Sequence, residues 1–124
     1  MTDYTASSTA ADDEVSRISV LDVLDAVAAE WSPPLPRRDL MRSPQRHRTY
    51  TRARQLVMWI ACTLGHSQAH VARALLCDPS TVSKSCDQIE AILNGDSPEA
   101  GMLRAVLFRA SYRLRDDDEP EEAK

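Results

Sequence analysis

Seven arginines, at positions 37, 38, 42, 46, 48, 52 and 54, fall within eighteen residues whose only acid is Asp39. Guanidinium groups this dense, with almost no carboxylates among them, suit the phosphates of a nucleic acid better than an ordinary solvated face. Downstream, residues 78–84 read Asp-Pro-Ser-Thr-Val-Ser-Lys. Asp78 has the character of a helix cap and Pro79 suits the first helical position. Pro79, Ser80, Thr81 and Lys84 would then stand on an exposed first turn, where hydroxyls and an ammonium can meet base edges and phosphates. The Asp78 carboxylate can also accept from a cytosine amino group. Ser67 and Gln68, at the head of the preceding short helix, complete the candidate binding set.

Other chemistries find no support. The three glycines, Gly65, Gly95 and Gly101, cannot build a phosphate-binding loop or a dinucleotide fingerprint, so no nucleotide is expected. Cys62, Cys77 and Cys86 show no C-x-x-C spacing. They are read as small buried apolar residues, not as a disulfide framework or a zinc site. His47, His66 and His70 are read as solvent-facing polar residues. No Ser/His/Asp set, carboxylate pair or Cys/His couple can be assembled, so neither an enzyme, a cofactor nor a metal is expected.

The elements that would position these residues follow from periodicity and punctuation. The 124-residue chain is long enough for one core. Residues 1–15 and 116–124 are polar and acidic and are expected to be disordered tails. Ile18, Leu21, Leu24, Ala28 and Trp31 predict an amphipathic helix over 17–30, with Ser19 and Asp22 forming a capping box. The run Ser-Pro-Pro-Leu-Pro at 32–36 ends it, completing an N-terminal unit of 16–36. Residues 37–115 form the expected DNA-binding body. Ser43-Pro44 predicts a long helix running to Leu64, with Tyr50, Ala53, Val57, Ile60 or Ala61, and Leu64 on one stripe. A short helix from Ser67 carries Val71, Ala72 and Leu75. Another from Asp78-Pro79 carries Val82, Cys86, Ile89 and Leu93, and a last one starts at Ser97-Pro98. The fold class is all-α, about five helices including the N-terminal amphipathic one. No stretch approaches the ~18 apolar residues of a membrane span, and no secretory signal is present, so a cytoplasmic, nucleoid-associated place is expected without membrane contact.

Charge supports this division. Residues 1–30 carry seven acids against Arg17, and 116–124 carry six against Lys124, so the net charge of −4 conceals a basic middle. Within 68–87, Ala72 allows two helices to cross closely and Val82 closes the pair, the spacing of a helix-turn-helix. Leu76 stands at the turn, where many such units place glycine for its freedom at positive φ.

The segments RHRTYTRARQ (46–55), LVMWIACTLGHSQAHVARAL (56–75) and CDPSTVSKSCDQIEAI (77–92) resemble the C-terminal, Trp-repressor-like helix-turn-helix domain of the bacterial replication initiator DnaA, over about 42–93. The resemblance puts Arg46 at a minor-groove arginine, Arg54 and Gln55 at phosphate contacts, and Asp78, Pro79, Ser80 and Thr81 on the base-reading signature. Arg48 and Arg52 join them on the arginine helix. Pro79, Cys77, Leu75 and Leu76 depart from the signature, and Asp87 and Gln88 stand where basic residues are usual, so a different DNA site is implied.

The resemblance implies a stand-alone regulator of transcription that binds double-stranded DNA, including activators of gene-transfer-agent clusters. The alternatives are an adaptor whose acidic helix and Trp31 dock RNA polymerase or a sigma-like factor, and an accessory replication factor at an origin. The acidic tail reads most simply as a solubility tail; the competing idea is that it folds back on the arginine segment and weakens non-specific binding. Deleting 116–124 is therefore expected to tighten binding to random-sequence DNA at low salt, and an unchanged affinity would remove that role.

Overall fold

The structure, a computed structural model, describes residues 18–42 and 48–118. The tail expected at 1–15, residues 119–124 of the tail expected at 116–124, the predicted helix start at Ser43-Pro44, Arg46 and His47 lie outside the described residues; residues 116–118, expected to be disordered, instead continue the last helix.

Ser19 and Asp22 close a reciprocal cap: each side chain accepts the other's backbone N–H at 3.1 Å. This opens α1 (Val20–Glu30), a turn later than the expected position 17. Its apolar face, Val20, Val23, Leu24, Ala26, Val27 and Ala28, is buried. Through this face α1 packs on the body, while its acidic residues Asp22 and Asp25 stay exposed. Trp31 is also buried, at 6% exposure. The proline run turns the chain, with Leu35 N–H donating back to the Ala28 carbonyl at 3.0 Å. The Pro36 carbonyl then accepts from Asp39 and Leu40 N–H and opens α2 (Arg37–Arg42). Periodicity did not predict this element: six residues are too few to show a 3.6-residue repeat. Its Leu40 is fully buried.

The arginine helix is α3 (Arg48–Thr63). Its buried stripe matches expectation at Ala53, Val57, Ile60 and Ala61, while Tyr50 and Leu64 are half-buried. Gly65 ends it at φ 112°, a conformation glycine adopts without steric cost. Ser67 Oγ caps α4 (Gln68–Leu75) by accepting His70 N–H at 3.1 Å. Then come α5 (Pro79–Leu93) and α6 (Pro98–Asp118), the latter capped by Ser97 Oγ on Ala100 N–H. Among the described residues the chain is all-α, with six helices. The most extensive packing is of α3 on α5, then α1 on α6 and on α3; α4 and α5 pack as a pair against this support. No helix among the described residues is long and apolar enough to cross a membrane.

The α4–α5 turn keeps the positive φ that glycine would supply, but with leucine. Leu76 lies at φ 61°, ψ 49°, and Cys77 N–H reaches back to the Ala72 carbonyl at 2.9 Å. A branched L-residue there costs about 1–2 kcal/mol, and its side chain, 75% exposed, recovers little by packing. Leu76→Gly is expected to gain about 0.5–1 kcal/mol after the entropy of a freer unfolded chain is subtracted. Its thermal midpoint should rise by a few degrees; a fall would show that the leucine is unstrained.

Candidate nucleic-acid interface

Residues Val71, Ala72 and Leu75 of α4 and Val82 and Ile89 of α5 are buried, with Ala72 where the two helices meet. With that face turned in, Pro79, Ser80, Thr81 and Lys84 are left exposed on the opposite side of α5's first turns. Asp78 takes the N-cap position at φ −82°, ψ 148°, yet its carboxylate makes no cap hydrogen bond. The expected side-chain cap is thus corrected: the Asp78 main-chain carbonyl accepts from Thr81 and Val82 N–H instead. The exposed carboxylate stays at a helix N-terminus, where the dipole favours it and an outside donor can reach it. Ser67 and Gln68 are exposed at the head of α4.

The arginines separate into inner and outer groups. Arg54, expected on a phosphate, is only 5% exposed. Its Nη1 donates to the Leu40 carbonyl at 2.7 Å and its Nη2 to the Leu75 carbonyl at 2.9 Å. This is a correction: the guanidinium is an internal brace between α2, α3 and the end of α4. Burial lowers its pKa from the usual arginine value, partly opposed by the neighbouring Cys77 thiol.

Arg52, expected on DNA, has a side chain 12% exposed; its Nε lies 2.7 Å from Glu99 Oε2 and it donates to Gln55 Oε1. Gln55 in turn donates to Gln88 on α5 at 3.3 Å. Both residues therefore serve the packing of α3 against α5 and α6 rather than standing clear of it. Arg37 pairs with Asp25 at 2.9 Å on the surface. Arg38 and Arg48 are exposed, and among the described residues neither has an acid within ion-pair range. The presented cationic surface is smaller than the sequence count because folded-state carboxylates and carbonyls compete for the guanidiniums.

Two neighbours of the first turn of α5 were missed in sequence. Thr51 of α3 and Leu76 of the turn line an open cleft with Gln55, Thr81 and Ser85. Thr51 was legible in principle, lying three and four residues before Arg54 and Gln55 on the same helical face. His66 needs correction too: it is 4% exposed, not solvent-facing. Its Nε2 lies 2.9 Å from the Ile18 carbonyl and its ring stacks on His70. Trp59 Nε1 donates to Glu90 at 2.8 Å, tying α3 to α5. Cys62 and Cys86 touch across the same helix pair, and burial beside the Cys62 thiol pushes Cys86 up to about 12. That thiol is therefore protonated at neutral pH and is a poor nucleophile.

A crossed helix pair on a three-helix support, with hydroxyls on the exposed first turn of its second member, defines a helix-turn-helix DNA-binding protein. The family model described as the bacterial dnaA protein helix-turn-helix matches residues 22–89, more than half of the chain, and the chain belongs to that family. The match takes in most of α1, all of α2 and the segments quoted above as far as residue 89. No curated protein and no solved structure gives a match. DNA is the partner that this family assignment supports.

Removing the Arg54 brace leaves two carbonyls without their donors. Arg54→Ala is expected to lose about 2–4 kcal/mol in urea unfolding. Arg54→Lys should rescue it only in part, because one ammonium cannot reproduce the planar fork. Wild-type stability with a salt slope shallower by one unit would instead return Arg54 to the phosphates.

Proposed function

We propose that the protein binds a specific double-stranded DNA sequence by laying α5 in the major groove, and that it regulates transcription from that site. The observation that carries this reading is the exposure of Ser80 and Thr81 on the first turn of α5 while Val82, the next residue, is fully buried. One residue anchors the helix and its two predecessors are offered outward. Exposed Arg48 and Lys84 supply charge for phosphates, and the Asp78 carboxylate suits a cytosine amino group. Arg46 remains the candidate for the minor groove, and Ser67 and Gln68 for the backbone at the head of α4. Pro79 cannot donate a hydrogen bond, so the site read here differs from one met by a hydrogen-bonding side chain at that position.

The adaptor reading relied on the acidic helix and Trp31; Trp31 is buried with the apolar face of α1, whereas the acidic residues Asp22 and Asp25 stay exposed, so the aromatic anchor is spent on the core. Direct DNA reading is favoured accordingly, in the cytoplasm and on the nucleoid. Activation, and service at promoters rather than at an origin, belong to the same proposal; mapping bound sites across a genome would separate them.

Ser80→Ala and Thr81→Ala are each expected to cost about 1–3 kcal/mol on the selected duplex and almost nothing on random DNA. Arg48→Ala should weaken both alike and reduce the salt slope by about one unit. Gel-shift or anisotropy titrations over a salt series would measure these effects, and equal losses on both DNAs for the two hydroxyl variants would refute the assignment.

A further inference from the structure

Leu76 carries two penalties that glycine would avoid. Its backbone lies in the left-handed region at φ 61°, and its isobutyl group is 75% exposed. Neither is offset by the core. The side chain instead lines the cleft shared with Thr51 of α3 and with Thr81 and Ser85 of α5. It therefore stands beside a hydroxyl assigned above to base reading. A strained, solvent-facing residue in such a place points to a contact made outside the protein.

The chemistry of that contact follows from its surroundings. Of the apolar groups lining the cleft, Met58 is buried and Cys77 half-buried, while the exposed neighbours Thr51 and Thr81 carry hydroxyls, so Leu76 is the exposed apolar side chain there rather than part of a contiguous apolar patch for another protein. The large exposed aromatics, Phe108 and Tyr112, lie on α6 and do not line this cleft. On the major-groove edge of duplex DNA the apolar feature is the 5-methyl group of thymine.

We propose that Leu76 is a specificity-determining residue whose side chain packs on the methyl group of a thymine adjoining the bases met by Thr81. This rests on the major-groove reading of the preceding subsection and adds a preference for thymine over cytosine at one position. It also gives the leucine a reason to occupy a turn that folding alone would assign to glycine.

The test begins with the full chain selecting duplexes from a random-sequence pool. Each thymine of the selected duplex is then replaced in turn by deoxyuridine, which removes only the methyl group. At one position the wild-type protein is expected to lose about threefold to fivefold in affinity, the scale of one buried methyl. Leu76→Gly, with its fold confirmed by circular dichroism, should bind the thymine and uridine duplexes equally, and Leu76→Met should keep the discrimination. A selected duplex in which every thymine tolerates uridine overturns the Leu76 assignment alone, as does discrimination that survives in Leu76→Gly. A pool that enriches no sequence overturns base reading itself, and the leucine contact with it.

Discussion

A guanidinium taken out of water must find partners for its donors, and Arg54 finds them in the carbonyls that end two helices. The Leu40 carbonyl belongs to α2 and the Leu75 carbonyl to the last turn of α4. Carbonyls at a helix C-terminus lack intrahelical partners, and the dipole makes them favourable sites for a cation. One side chain from α3 thus satisfies two helix ends and fixes where α4 stops. The position of α5 depends on that point, since only Leu76, Cys77 and Asp78 separate the two helices. A lysine lacks the fork for both carbonyls, and a neutral apolar residue would leave them buried without donors.

Around this brace the polar contacts between helices form a connected set. Arg52 joins Glu99 at the head of α6 and Gln55 on its own helix; Gln55 reaches Gln88, and Trp59 reaches Glu90, both on α5. The Gln55–Gln88 and Trp59–Glu90 bonds lie across the seam where α3 meets α5, so they orient α5 as well as hold it. Arg37–Asp25 and Arg113–Glu30 are more exposed, and pairs of that kind contribute little to stability. They do use carboxylates of acidic α1, which lowers the negative charge beside the DNA-facing body.

The turn between α4 and α5 is where folding and recognition pull apart. Burial of Ala72, Leu75 and Val82 demands a tight reversal, the reversal demands a positive φ, and the chain meets it with leucine. The exposed positions that follow it, Asp78, Pro79, Ser80, Thr81 and Lys84, are small or polar. The contrast makes the apolar side chain at the turn a feature of surface chemistry rather than of packing.

Most helices were legible because their information is local. The Ser19 and Asp22 cap, the Asp78-Pro79 start, the end at Gly65 and the apolar spacing of α3 to α5 act over a few residues, and the structure places them where the pattern predicts. The exposed Ser80 and Thr81 followed for the same reason, since burying Val82 turns its predecessors outward. What each arginine does was not local. A guanidinium reads identically in sequence whether it faces a phosphate, Glu99 or the Leu75 carbonyl; the choice depends on which distant groups the packed helices bring within about 3 Å. The burial of His66 under Ile18, the six-residue helix α2 and the cleft joining Thr51 to Leu76 were settled at that level too. Helical period and capping set the elements along the chain, whereas competition among buried donors and acceptors, which exists only after packing, decided which charges remained for DNA.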